Sequence, residues 1–319
     1  DDKDDDNDNN NNSSSNNNDN NNNDNNNNIS NKTNNDDVRR RCQPSESVRK
    51  LYVVALGPSM LSICAKMLSA NNTGPRTKDI AHNLLNQLQI LSGIESRAEL
   101  VSSQLKGVFG HLGIGTDAWE GLVKLRRVLV WLVLSIDYPH YHGLLNIAAS
   151  PLLQLLDHHS NESRVAGLQG LRHLIKNVLS TELKRYGMLD VIVQSMNTLL
   201  YIRDEELLEE LLPTYSVVFP IVEPKPNAKS SKLHDRVIGK MLREMSYEDN
   251  LAKRFMYSRL LPELIVPLGI GLIKHFLILF KVFDNYLKEK YDLRSKVGVV
   301  MSNWSLMLFA VVVVVVVVV

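Results

Sequence analysis

The segment "LLQLLDHHSNESRVAGLQGLRHLI", residues 152–175, places Asp157 beside His158 and His159, with His173 further along. With His140 and His142 upstream, these side chains offer the imidazole and carboxylate donors of a zinc-dependent hydrolase. Such a site needs three or four ligands converging from one side, commonly at a spacing such as HExxH, and that spacing does not occur here. His158 and His159 are adjacent, so in a turn their rings point apart. His173 stands among leucines, where a helix-surface or hydrogen-bonded core histidine is the expected state.

The same residues fit a helical hairpin, and this is the favoured reading. Pro151 bends the first helix by removing one backbone bond. Leu152, Leu153, Leu155 and Leu156 supply its buried face. Asp157 opens the turn, where a carboxylate can accept orphan N–H groups at the positive end of the following helix. Arg164 stands early in that helix and can reach a carboxylate in its own or the adjoining turn with a bidentate fork. Gly167 permits close helix approach, and Leu168, Leu171, Leu174 and Ile175 continue the inner face. The hairpin residues are therefore Pro151, Asp157, Arg164, Gly167, Leu168 and Leu171, all structural; no catalytic, cofactor-binding or metal-binding residue is assigned, and no cofactor is expected.

Other stretches carry less. "GVFGHLGIG", residues 107–115, lacks the GK[ST] ending and preceding strand of a phosphate loop, so its glycines are read as helix termination and a turn. "RDEELLEELL", residues 203–212, is an acidic helix start with leucines at helical spacing, as dipole compensation requires. "KLRRVLVWLVLSI", residues 124–136, is too short for a membrane span and is read as a buried helix around Trp131. "VRRR", residues 38–41, is a weak basic address on an acidic arm. Neither a nucleophile elbow nor a kinase signature is present. The chain is expected not to be an enzyme.

The elements that must hold these residues repeat apolar positions at three- and four-residue spacing from about 46 to 290, which predicts an all-α fold. Helices are expected at about 47–70, 77–92, 95–110, 117–136, 140–157, 161–179, 182–201, 204–219, 233–257 and 259–290. Adjacent pairs recur at roughly forty residues, the period of HEAT or armadillo hairpins stacked into an α-solenoid. The expected organisation is a disordered tail at 1–45, helical repeats at 46–219, a linker at 220–232, further repeats at 233–296 and an apolar poly-Val end at 297–319. An artefactual end is favoured there over a tail anchor, so no membrane association is expected.

Composition sets the remaining bounds. The first 37 residues are almost entirely Asn, Asp and Ser, which cannot bury enough apolar surface to order. Their excess of Asp over Lys means that the net charge of +1 conceals a basic body of about +9. Two cysteines without a CxxC pair suit a reducing compartment. The chain begins with Asp, so it is expected to be a piece, and no secretory signal can be read.

From Val128 to Val218 the order of a Trp-bearing apolar helix, "PLLQLLD", an Arg before "GLQGLRHLI", "LKRYG" and "LLY…ELLEELLP" resembles the Tel-two-interacting protein two family. "SRLLPELIVPLGIGLIKHFLILFKVFDNYL", residues 258–287, is similar to that family's later helices. The resemblance implies an α-solenoid scaffold, the smallest subunit of the TTT co-chaperone complex. Its implied partners are the Tel-two-interacting protein one, the Tel-two protein and, indirectly, a heat-shock chaperone and the phosphatidylinositol-3-kinase-related kinases whose stability the complex supports. It implies a cytoplasmic location with the nucleus as a second compartment, and no nucleic acid. His158 replaces a second acidic residue often found after Asp157, and the family's chain continues with helices beyond about residue 296. The alternatives are a generic HEAT scaffold for transport or nucleic-acid assemblies, and the His/Asp metal hydrolase.

Overall fold

A computed structural model describes residues 45–116, 119, 122–185, 187–224, 232–289 and 292–296. The Asn-rich tail, the basic run at 38–41, residues 225–231 of the expected linker and the apolar end at 297–319 lie outside the described residues. The chain divides into two compact units, Asp1–Arg49 and Lys50–Val319; of the first, only residues 45–49 are described.

Among the described residues every regular element is helical: α1 (Glu46–Ser69), α2 (Pro75–Ser92), α3 (Arg97–Leu112), α4 (Val123–Leu134), α5 (Leu145–Asp157), α6 (Asn161–Asn177), α7 (Ser180–Arg185), α8 (Met188–Leu199), α9 (Glu205–Val222), α10 (Lys232–Ser246), α11 (Leu251–Ile265), a 3-10 segment (Val266–His275) and α12 (Phe276–Lys288). The pattern of α9 shows why. Leu207, Leu208, Leu211, Leu212, Tyr215, Val218 and Phe219 recur at helical spacing and are all buried. Asp204 caps its start by accepting the Leu207 N–H at 2.9 Å, and Glu205 and Glu206 occupy the first turn.

Three expected helices are each interrupted. Residues 182–201 split into α7 and α8 around Gly187, whose φ of 64° an L side chain rarely adopts. Residues 233–257 split after Ser246 because Asn250 starts a new helix, its side chain accepting from the Ala252 and Lys253 N–H groups at 2.9 and 3.2 Å. The expected helix 259–290 is broken at Gly269, which has non-helical φ and ψ of 53° and −129°. In "GVFGHLGIG" the reading is corrected in part: Gly107 and Gly110 lie inside α3, and only Gly113 and Gly115 form the turn.

Helices α4, α6, α9 and α11 pack successively on one another, while α5 packs on α6 and α8, and α10 on α11 and α12. A single apolar core runs through the second unit, from Leu61 to Tyr286. One described segment, Ser47–Ser69 of α1, is long and apolar enough to cross a membrane; Leu61, Cys64 and Ala65 on it join that core.

Polar side chains close the ends of elements. The Glu223 carboxylate, just past α9, accepts the Leu233 and His234 N–H groups at 2.9 and 3.3 Å and meets His234 Nδ1, so it satisfies donors in the first turn of α10. Glu244 on α10 receives Lys240 at 2.6 Å and Arg203 at 3.3 Å. Partial burial pushes the Glu244 carboxyl up, but the Lys240 and Arg203 charges outweigh it and hold it below the ordinary glutamate value. Its folded value lies below its unfolded one, so its stabilising contribution is complete above the unfolded value, about 4.3, and is lost as pH falls through the folded value. Denaturant unfolding measured from pH 7 down to pH 3 is therefore expected to show a falling acid limb. Glu244→Gln should flatten that limb, and an unchanged pH dependence would contradict this account.

Candidate functional site

The α5–α6 hairpin holds the residues singled out in the sequence. Pro151 is buried inside α5, and Leu168 and Leu171 are buried on α6. Gly167 faces α5 so closely that a Cβ would stand 3.0 Å from the Leu152 carbonyl oxygen and from Leu155 Cβ. Gly170, not singled out from the sequence, is tighter still, since a Cβ there would overlap Leu152 Cδ2.

Two roles differ from expectation. Asp157 ends α5 and is exposed, and the turn is held instead by His158, whose Nδ1 accepts the Ser160 N–H at 3.1 Å. Arg164 donates to the Asn161 side-chain oxygen at 3.0 Å and forks onto no carboxylate among the described residues. A chain bend at the helix end aims the imidazole, rather than the preceding carboxylate, back at the turn.

The candidate metal ligands do not converge on one point. His158 Nδ1 lies 2.9 Å from Ser163 Oγ, and His159 packs its ring against that of His158 with centroids 4.1 Å apart, so the expectation that the two rings point apart is corrected. His142 meets Glu182 at 2.7 Å, and His173 Nε2 lies 2.8 Å from the Ile136 carbonyl oxygen. Among the described residues no group of three or more His, Cys, Asp or Glu stands close enough to hold a metal ion.

A residue that sequence reading missed organises this region. Arg126, on the apolar helix α4, is buried; its guanidinium donates to Ser163 Oγ and reaches Glu162 Oε2 at 3.4 Å. Ser163 thus links α4 to the His158 turn. Burying that charge is tolerable only because it is hydrogen-bonded. The available signal was weak, since Arg126 stands beside Arg127 at the basic start of an apolar run.

Next to it, α4 and α6 border an open groove of about 580 Å³. Val130, Trp131 and Leu134 line it from α4, and Val165, Ala166 and Gln169 from α6, with Arg127, Glu162 and Glu206 also on its walls. Trp131 is half-buried and Leu134 exposed, so the reading of Trp131 and its neighbours as buried helix holds for one face of α4 and is corrected for the other. The i, i+3, i+4 spacing that buries Val128, Leu129, Leu132 and Val133 turns the remaining apolar side chains outward. Polar pairs cross successive helices of the same row: Arg172 with Glu210 at 2.9 Å between α6 and α9, and Arg259 with Glu209 at 2.7 Å between α11 and α9. The Arg259–Glu209 pair is exposed enough that it contributes at most about 1 kcal/mol, so it helps set register more than stability. Burial pushes the Cys64 thiol up, away from nucleophilic character.

These features define an all-helical protein with, among its described residues, a groove that carries a tryptophan in its wall. A sequence model of the Tti2 family matches residues 113–289, and the chain belongs to that family. It is 24% identical over 250 residues to TELO2-interacting protein 2 of Rattus norvegicus and to that of Homo sapiens, a match covering 74% of this chain and 49% of each relative. A protein of Arabidopsis thaliana is 26% identical over 190 residues, 55% of this chain and 42% of that one. The chain spans about half the length of the curated relatives it matches. No solved structure matches.

Proposed function

We propose that this chain is a non-enzymatic scaffold subunit of a TTT-type co-chaperone complex. Its relatives are named for interaction with TELO2, the Tel-two protein. In this reading the successive packing of α4, α6, α9 and α11, flanked by α5, α8, α10 and α12, is a HEAT-like α-solenoid. It docks on the Tel-two-interacting protein one and through it on the Tel-two protein, and so supports the maturation and stability of phosphatidylinositol-3-kinase-related kinases. A cytoplasmic and nuclear location goes with that role.

The observation that carries the proposal, beside family membership, is the α4–α6 groove. An aromatic anchor, apolar walls and arginine at the rim are the composition of an interface hot spot. Affinity would come from burying a few such anchors. The full chain, immobilised, is expected to recover both partner proteins from an extract of its own source. Trp131→Ala combined with Leu134→Glu should lower that recovery by about tenfold or more, with an unchanged helical circular-dichroism spectrum. Recovery of neither partner by the wild-type chain would remove the proposal; equal recovery by the double variant would remove the groove from it.

A further inference from the structure

The α4–α6 groove has a neighbour. A second open groove, of about 540 Å³, is lined by Leu251, Phe255 and Met256 of α11, with Arg294 also on its wall. Glu206 stands in the wall of the first groove, and Glu205 and Glu209 in the wall of the second. The two grooves therefore meet over the start of α9, and together they cross the successive helices α4, α6, α9 and α11. Each end has an accessible aromatic side chain, the half-buried Trp131 at one and Phe255, 37% exposed, at the other.

The charges along this path say what can fill it. Glu209 is already paired with Arg259, at 2.7 Å. Glu205 and Glu206 meet no cation among the described residues. Open to water, two acids in a first helical turn need no partner, because solvent and the helix dipole stabilise them. Covered by an occupant they lose that hydration, and a carboxylate buried without a partner is costly. Whatever fills both grooves has to cross the start of α9, so it has to bring cations to these two side chains. At the outer walls the sign reverses: Arg127 and Arg294 are exposed and meet no carboxylate among the described residues.

Packed neighbouring helices lie about 8–10 Å apart, so the path from α4 to α11 is roughly 24–30 Å long. An extended chain covers about 3.3 Å per residue, which makes that path about eight or nine residues. We propose that the two grooves together take an extended segment of another protein, with a large apolar side chain toward each end, lysine or arginine at its centre and acidic residues outside. The apolar side chains seat against Trp131 and Phe255, and the central cations pair with Glu205 and Glu206. A nucleic-acid strand is a poor occupant, because the acidic centre repels its phosphates. The inference rests on the docking role given above to the α4–α6 groove and adds the chemistry of what docks there.

The test uses the full chain and two labelled peptides of about nine residues with identical composition. One has lysines at its centre and glutamates at its ends, the other has these charges exchanged, and both carry a tryptophan and a leucine as anchors. Binding is followed by fluorescence anisotropy. The lysine-centred peptide is expected to bind about tenfold tighter than the other, and less tightly as salt rises. Glu205→Lys with Glu206→Lys should reverse the preference. Glu205→Gln with Glu206→Gln, a milder change at the same two positions, should abolish it with the thermal melt retained. Trp131→Ala and Phe255→Ala should each weaken binding of the lysine-centred peptide by about tenfold. Equal binding of the two peptides would overturn the proposal, as would a preference that survives the glutamine changes. Binding indifferent to Phe255→Ala would overturn the span across both grooves. If recovery of the partner proteins from extract depends on Trp131 and Leu134 while the peptides bind alike, the occupant is refuted and the docking role of the groove stands. Recovery of neither partner by the wild-type chain refutes that role itself.

Discussion

Asp292→Ala is expected to cost about 3–5 kcal/mol of stability, because it strands a buried cation. Arg254 and Asp292 meet at 2.9 Å with side chains 9% and 3% exposed, and the guanidinium lies 4.1 Å from the Tyr286 ring centroid. Asp292 also accepts the Ser295 N–H at 3.1 Å, which starts the short helical turn at 293–296. Removing the carboxylate leaves Arg254 with the ring and a 3.5 Å contact to the Asn285 carbonyl oxygen. The aromatic face offsets roughly 2 kcal/mol of an unpaired charge, less than the loss. The converse test separates charge burial from packing. Arg254→Met with Asp292→Val removes both charges with only a small change in total volume, so it should return to within about 1 kcal/mol of the wild type, the capping contribution. Urea unfolding of the three proteins decides. A double variant no more stable than Asp292→Ala alone would show that the pair is not what the single change disturbs.

The second large effect lies in the α5–α6 hairpin. Leu152→Ala is expected to cost about 3 kcal/mol, since the side chain is fully buried and its removal leaves a cavity. Gly170→Ala gains about 1 kcal/mol of helix propensity but drives a methyl into Leu152, so it should be destabilising overall by about 1–2 kcal/mol. Combined, the new methyl occupies space the leucine vacated, and the double variant should be more stable than the sum of the singles by about 1 kcal/mol or more. Gly167→Ala provides the contrast. Its methyl meets the Leu152 backbone oxygen as well as side chains, and truncating Leu152 leaves that oxygen in place. Leu152→Ala should therefore rescue Gly170→Ala and give little relief to Gly167→Ala. Equal rescue of both would mean that the helices separate as rigid bodies.

The helices themselves were legible because each buries a stripe repeating at the helical period, as Leu207 to Phe219 do on α9. Their interruptions were harder to read. At Gly187, Asn250 and Gly269 the apolar period runs on through the break, and a single φ value or one capping side chain decides the matter. The hairpin of the candidate region was readable in outline, with Gly167 placed by the need for close approach. The exchange of roles between Asp157 and His158 was not, because both are polar residues at a helix end and only the direction of the chain after α5 chooses between them. Likewise Arg126 and Arg127 are neighbours of the same type. One is buried against Ser163 and the other lines the groove, a difference of a single helical position.

The linear chain determined, by apolar period and cap chemistry, that this protein is helical, and its order of motifs pointed to the family. Tertiary structure alone decided which polar groups meet. Arg126 finds Ser163 and Glu162 from 37 and 36 positions away, and Arg254 finds Asp292, which lies past the end of α12. Periodicity reports how strongly a residue prefers burial, which is a property of one helix. Pairing of charges and the faces left open depend on which helices become neighbours, and that is settled only when the core closes.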